Sequence, residues 1–169
     1  MKVSNFLIAL ACAVAAVSMT GSMLPAGGGT APELYAQVGM PNPWTDQDSM
    51  EDAQLATDFS FTVPETIGTM QPVLIQTLGS EVIQVFYRET ADSEEHVLLR
   101  KGFSNQDVSG DYNVYSESAV KTVGNYQVTF QGDDGRVMLA TWVSGRFSYC
   151  VSAPAMTAEE VEAIVAAMK

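Results

Sequence analysis

At 169 residues, with eight basic side chains against twenty acidic ones and a formal charge of −12, the chain is the size of one domain. Its sign is wrong for nucleic acid and for anionic lipid, both of which are held by clustered Lys and Arg. One histidine and two cysteines are too few for the common zinc sites, so no metal and no cofactor is expected.

The chain opens on Lys2 and then runs through residues 6–17 without a charge or a strongly polar side chain, before Ser18, Thr20, Gly21 and Ser22 dilute it. A short positive start, an apolar stretch of twelve and a small-residue exit make a secretory signal over residues 1–22. The stretch is shorter than the ~20 residues a spanning helix wants. It also meets Pro25 and Gly27-Gly28-Gly29, so cleavage after Ser22 is expected, ahead of a second small-residue site ending at Ala36. An uncleaved signal would instead leave a membrane anchor. Acylation at Cys12 is disfavoured by the residues before it. Cleavage removes Lys2 and Cys12, leaving seven basic residues against twenty acidic, a charge of −13, and one thiol that has no internal partner. No membrane segment remains after cleavage. Residues 23–42, rich in Gly and Pro without periodicity, are expected to be a flexible linker ahead of one domain over 43–169.

Within that domain, Asn42-Pro43-Trp44 followed by Thr45-Asp46-Gln47-Asp48 reads as a turn leading to a short helix that ends by Asp58. Asp48 or Ser49 caps it, Glu51 and Asp52 lie in its first turn, and Met50, Ala53, Leu55 and Ala56 form its apolar side. From Phe59 the period becomes two: Phe59, Phe61 and Val63 alternate with Ser60 and Thr62 and predict a half-buried strand. Strands over 73–78 and 82–88 are joined by Gly79-Ser80 as a hairpin, and 96–101 is a further strand with Val97 and Leu99 on one face. The cleanest alternation, over 126–131, turns at Asp133-Asp134-Gly135 into 136–143, which turns at Ser144-Gly145 into 147–152. These three form a meander. In its middle strand both alternating sets are apolar, with Val137, Leu139 and Val143 on one face and Met138, Ala140 and Trp142 on the other, as in a strand covered on both sides. Thr157, Glu159 and Glu160 then open a helix whose Val161, Ile164, Val165 and Met168 recur at helical spacing. The expected class is α+β: an antiparallel meander sheet of about six to seven strands between a short N-terminal helix and a C-terminal helix.

Few residues suggest chemistry. His96, at a strand start beside Glu94 and Glu95, has no serine in a nucleophile elbow to serve. Cys150 falls on the strand face opposite Phe147, Tyr149 and Val151, as a small buried residue does. Asp107, Ser109, Asp111 and Asn113 place oxygens at every second position, as calcium loops do, yet the glycine stands fourth and Ser118 occupies the place of the closing glutamate. Turn chemistry accounts for the same residues. They are the weak binding candidates, and no catalytic residue is assigned. Trp44, Tyr112, Tyr115 and Trp142 are candidates to line a groove, with Trp142 better explained as core.

Asn42-Pro43-Trp44, the acidic helix, the 59–64 segment, the 82–87 strand, Arg100-Lys101-Gly102, the 107–112 stretch, Trp142-Val143-Ser144-Gly145, Phe147-Ser148-Tyr149 and the terminal helix come in an order that resembles the bacterial domain of unknown function DUF4367. The resemblance covers roughly residues 41–169, nearly all of the chain that cleavage leaves. It implies an α+β domain of exported or membrane-tethered proteins and assigns no catalytic residue. Cys150 stands where that resemblance implies serine or another small residue. The expected function is a monomeric, extracytoplasmic, non-enzymatic binding or sensory domain that meets a protein or envelope partner. The alternatives are a hydrolase of envelope polymers using a carboxylate pair and a calcium-dependent binding module.

Overall fold

A computed structural model describes residues 42–104 and 106–169. The expected signal over 1–22 and nearly all of the expected linker lie outside them. These residues build one antiparallel sheet of eight strands and two helices, an α+β fold. Strand β1 (Trp44–Gln47) precedes helix α1 (Met50–Thr57). Strands β2 (Gln71–Leu78), β3 (Val82–Arg88), β4 (Val97–Gly102), β5 (Glu117–Val123), β6 (Tyr126–Asp133), β7 (Arg136–Ser144) and β8 (Phe147–Met156) follow, and α2 (Ala158–Ala167) is the last element.

The spatial order β1-β2-β3-β4-β8-β7-β6-β5 consists of two four-stranded meanders joined where β4 pairs with β8. Tight turns join β2 to β3 and every pair of neighbours in the second meander, whereas α1 and residues 58–70 lie between β1 and β2. At Asp134-Gly135 both residues take positive φ, 53° and 70°, the twist that a two-residue hairpin needs and that Asp-Gly adopts readily. Gly132, at a register shift opposite β7, lies so close to Arg136 that a Cβ there would sit 1.8 Å from its carbonyl oxygen, so only glycine fits.

Alternation sends Ile83, Val85, Tyr87, Leu99, Phe130 and Val151 with their neighbours to one face, the front, where α1 and α2 cover them. Helix α1 rests on the first meander and α2 on the second. The α2 stripe of Val161, Ile164, Val165 and Met168 is buried as its spacing predicts, and Thr157 with Glu160 forms a reciprocal capping box. Trp142 stacks on its cross-strand partner Tyr149, centroids 5.1 Å apart and planes 6° off parallel, and is 4% exposed, a core residue.

Five expectations need correction. Residues 44–47 are an edge strand rather than a turn, and Ser49 is the residue that caps α1. In α1 only Ala53 and Thr57 are buried, while Leu55 and Ala56 face outward, because a helix of eight residues lying over a sheet edge has room for only a narrow contact stripe. Residues 59–63 bury Phe61 but form no strand. Thr62 instead exchanges two backbone hydrogen bonds with Lys169, N to O at 3.0 and 3.1 Å. In β7 a bulge at Met138 reverses the alternation, so Val137 shares the front face with Ala140 and Trp142, while Leu139 faces back. Strand β5 was absent from the expected set: its only buried residue is Val123, so it carries no hydrophobic alternation to read. The count is therefore eight strands, not six to seven.

Candidate functional site

Among the described residues no helix lies on the back face of the sheet. That face carries a single row of aligned residues that crosses all eight strands: Asp46, Gln76, Gln84, Arg100, Cys150, Thr141, Thr129 and Val120 are successive cross-strand partners. Alternation alone makes such a row, since one residue in two points to each face. On one side of Arg100 the row is a continuous hydrogen-bonded chain. Arg100 Nε donates to Gln84 Oε1 at 2.7 Å, Gln84 Nε2 donates to Gln76 Oε1 at 2.6 Å, and Gln76 Nε2 donates to Asp46 Oδ1 at 2.7 Å. The two amides point the same way, so a guanidinium at one end and a carboxylate at the other polarise every link between them. Trp44 lies against Arg100, the guanidinium carbon 5.1 Å from its ring centroid.

Arg100 also holds the long β4–β5 connection. The described residues of this 103–116 connection leave the centre of the sheet and cross the back face to its far edge, and Arg100 Nη1 donates to the carbonyls of Val108, at 3.0 Å, and Ser109, at 2.5 Å. Ser148 Oγ donates to the Ser104 carbonyl at 2.9 Å, and Val108 packs on the bare backbone of Gly102. Cys150 lies under this cover with no exposed surface, and burial pushes its thiol from an ordinary 9.0 up to about 12. Burial also lowers the pKa of Arg100, although the Coulombic pull of Cys150 and Asp107 works to raise it.

The four binding candidates lie on this connection and form a staircase of side-chain turns. Asp107 Oδ1 accepts from the Ser109 amide at 2.8 Å, Ser109 Oγ from the Asp111 amide at 3.1 Å, and Asp111 Oδ1 from the Asn113 amide at 2.8 Å. Asp111 Oδ2 takes the Tyr115 hydroxyl at 2.5 Å. Burial would raise the Asp111 pKa, but the bonds from Tyr115 and Asn113 outweigh it and hold the carboxyl below the ordinary aspartate value. Each oxygen is thus turned along the chain toward a local donor, not inward on a common centre. Among the described residues no group of three His, Cys, Asp or Glu side chains converges as metal ligands do.

The staircase lifts Tyr112 and Val114 away from the sheet, 95% and 96% exposed. Trp142 is on the opposite face, so the four aromatic groove candidates are not brought together. A cavity of about 400 Å³ lies beside the connection, where Gln106, Asp107 and Ser148 face Gln127, Thr129 and Thr141 across the back of the sheet. A more apolar cavity of about 480 Å³ opens at the other end of the fold between the 64–70 segment, the end of β8 and α2, with Arg136 and Glu160 among its lining residues. His96 precedes β4, partly covered by Phe86, and shares a hydrogen bond with the Glu94 carbonyl at 3.0 Å.

No family model, curated protein or solved structure matches the chain. The geometry is therefore the whole basis for reading the site. Sequence reasoning missed Arg100, Gln84 and Gln76. Their signal was present: Gln84 stands between Ile83 and Val85, and Arg100 follows Leu98-Leu99, polar side chains inside otherwise apolar strands. Such residues need partners on whichever face they take. Among the described residues no helix is long and apolar enough to cross a membrane.

Proposed function

We propose that this chain is an extracytoplasmic, non-enzymatic binding or sensory domain that meets a protein or envelope partner through the 103–116 connection. One observation carries the reading. Tyr112 and Val114 stand almost fully exposed on a segment whose root is held by Arg100, Ser148 and Gly102. Binding residues favour loops that a rigid scaffold positions, and an aromatic group presented this way offers a large contact area at low entropic cost. The apolar N-terminal stretch supports the compartment. The resemblance to the DUF4367 domain belongs to the same proposal and agrees with an exported α+β module.

The test compares the wild-type chain with a Tyr112→Ser, Val114→Ser double variant against two defined targets, purified peptidoglycan by co-sedimentation and detergent-extracted envelope proteins by cross-linking. Both positions are exposed, so the melting temperature should stay within a degree or two while binding to one target falls by tenfold or more. Equal binding by the two chains would overturn the reading, and so would turnover of peptidoglycan by the wild type.

A further inference from the structure

Among the described residues, nothing pairs with the outer edge of β5, where the sheet ends. Six of the seven residues of this strand are exposed, and it contains neither proline nor a bulge, two common devices that protect a sheet edge. Its other side is paired with β6 along its whole length. The two-residue turn Gly124-Asn125 makes Val123 and Tyr126 a hydrogen-bonded closing pair. Glu117, Ala119 and Lys121 therefore aim their backbone groups at β6, while Ser118, Val120 and Thr122 aim theirs outward.

We infer that this edge pairs with the same edge of a second copy of the chain, antiparallel and two-fold symmetric about Ala119. Charge complementarity selects this occupant and this register. With Ala119 opposite Ala119 of the other copy, Ser118 pairs with Val120 and their outward N–H and C=O groups are exchanged in both directions. Glu117 then falls opposite Lys121, and Lys121 opposite Glu117, at the non-hydrogen-bonded positions where side chains approach most closely. Two reciprocal ion pairs result from one strand sequence, and each interface residue sees its own symmetry mate's partner, as a two-fold interface requires. In the single chain Lys121 bonds Glu162 at 3.2 Å on the front face and Glu117 accepts from the Gly135 amide, so pairing exchanges these two exposed intrachain contacts for the two ion pairs across the edge. The repulsion between two copies at −12 each is screened beyond about 8 Å at physiological ionic strength, whereas strand pairing acts at contact. Pairing would join the two sheets into one.

Sedimentation velocity of the complete chain across a concentration series is the experiment, with circular dichroism to check that each variant is folded. The wild type should show a concentration-dependent dimer. Val120→Pro removes an outward N–H and no internal bond, and should leave a folded monomer. Glu117→Lys and Lys121→Glu, each alone, place like charges opposite one another and should weaken dimerisation roughly tenfold or more. Mixed together, the two charge variants restore both opposite-charge pairs and should form a heterodimer. A wild type that stays monomeric at every concentration overturns the proposal. So does a dimer that the charge variants do not weaken, or one that the mixture fails to recover.

Discussion

Arg100 serves three acceptors at once, the Gln84 amide and the carbonyls of Val108 and Ser109, and so ties the polar row of the back face to the segment that crosses it. Replacing it with Met keeps much of the apolar stem but leaves those acceptors without their donor. Unsatisfied groups of this kind cost about 1–3 kcal/mol each where water cannot reach them. Arg100→Met should therefore lower stability by roughly 2–4 kcal/mol in urea denaturation and open residues 103–116 to limited proteolysis. Retained protease resistance with an unchanged urea midpoint would show that other contacts hold the segment. Lys101, its neighbour in sequence, faces the front and is only 5% exposed. There its ammonium lies 4.5 Å from the Phe147 centroid and 5.1 Å from that of Tyr149, and donates to the Ser60 carbonyl at 2.6 Å. Two adjacent cations thus do different work, because one residue of alternation separates a loop anchor from a core cation held by ring faces and one carbonyl.

Among the elements, α2 has the most legible design. Thr157 Oγ1 accepts from the Glu160 amide at 3.3 Å while Glu160 Oε2 accepts from the Thr157 amide at 2.8 Å. Thr157→Ala removes the side-chain acceptor of that box and should cost about 1 kcal/mol, a fall of about 4 °C in Tm by calorimetry. A Tm equal to wild type would mean that packing of Val161, Ile164 and Val165 holds the helix without its cap. Strand β5 is the opposite case. The two-residue turn at Gly124-Asn125 folds it back against β6 over its whole length, and no hydrophobic alternation of its own marks it. Residues 59–63 alternate well yet pair with the chain end rather than with a strand. Alternation reports burial on one side; whether a neighbouring strand exists is decided elsewhere.

At the scale of the whole molecule, both faces of the central strands are covered, the front by helices and the back by the 103–116 connection, and acids are buried on each side. Tyr87 on the front is shifted from an ordinary 10.0 to about 12, and Cys150 on the back from 9.0 to about 12, both by burial. Raised acids remain protonated in the native state at pH values where the unfolded chain has lost the proton, so their stabilisation is intact below pH 9 and is lost as pH climbs toward 12. Burial lowers Lys101, which has the opposite slope and offsets part of this loss as pH approaches the ordinary lysine value. Urea denaturation at pH 8 and pH 10 should show a decline of about 1 kcal/mol from the thiol, which Cys150→Ala abolishes. An identical decline in the variant would place the alkaline sensitivity on other groups. The sequence by itself determined the class of fold, both helices, the cap of α2, the hairpins at Gly79, Asp134 and Gly145, and the burial of Trp142, because periodicity and turn chemistry act over a few residues. Only the tertiary structure decided that β4 pairs with β8, that a bulge at Met138 turns Val137 to the front, and that Asp46, Gln76, Gln84 and Arg100 form one chain. Those outcomes depend on register between strands far apart in sequence, which no local pattern records.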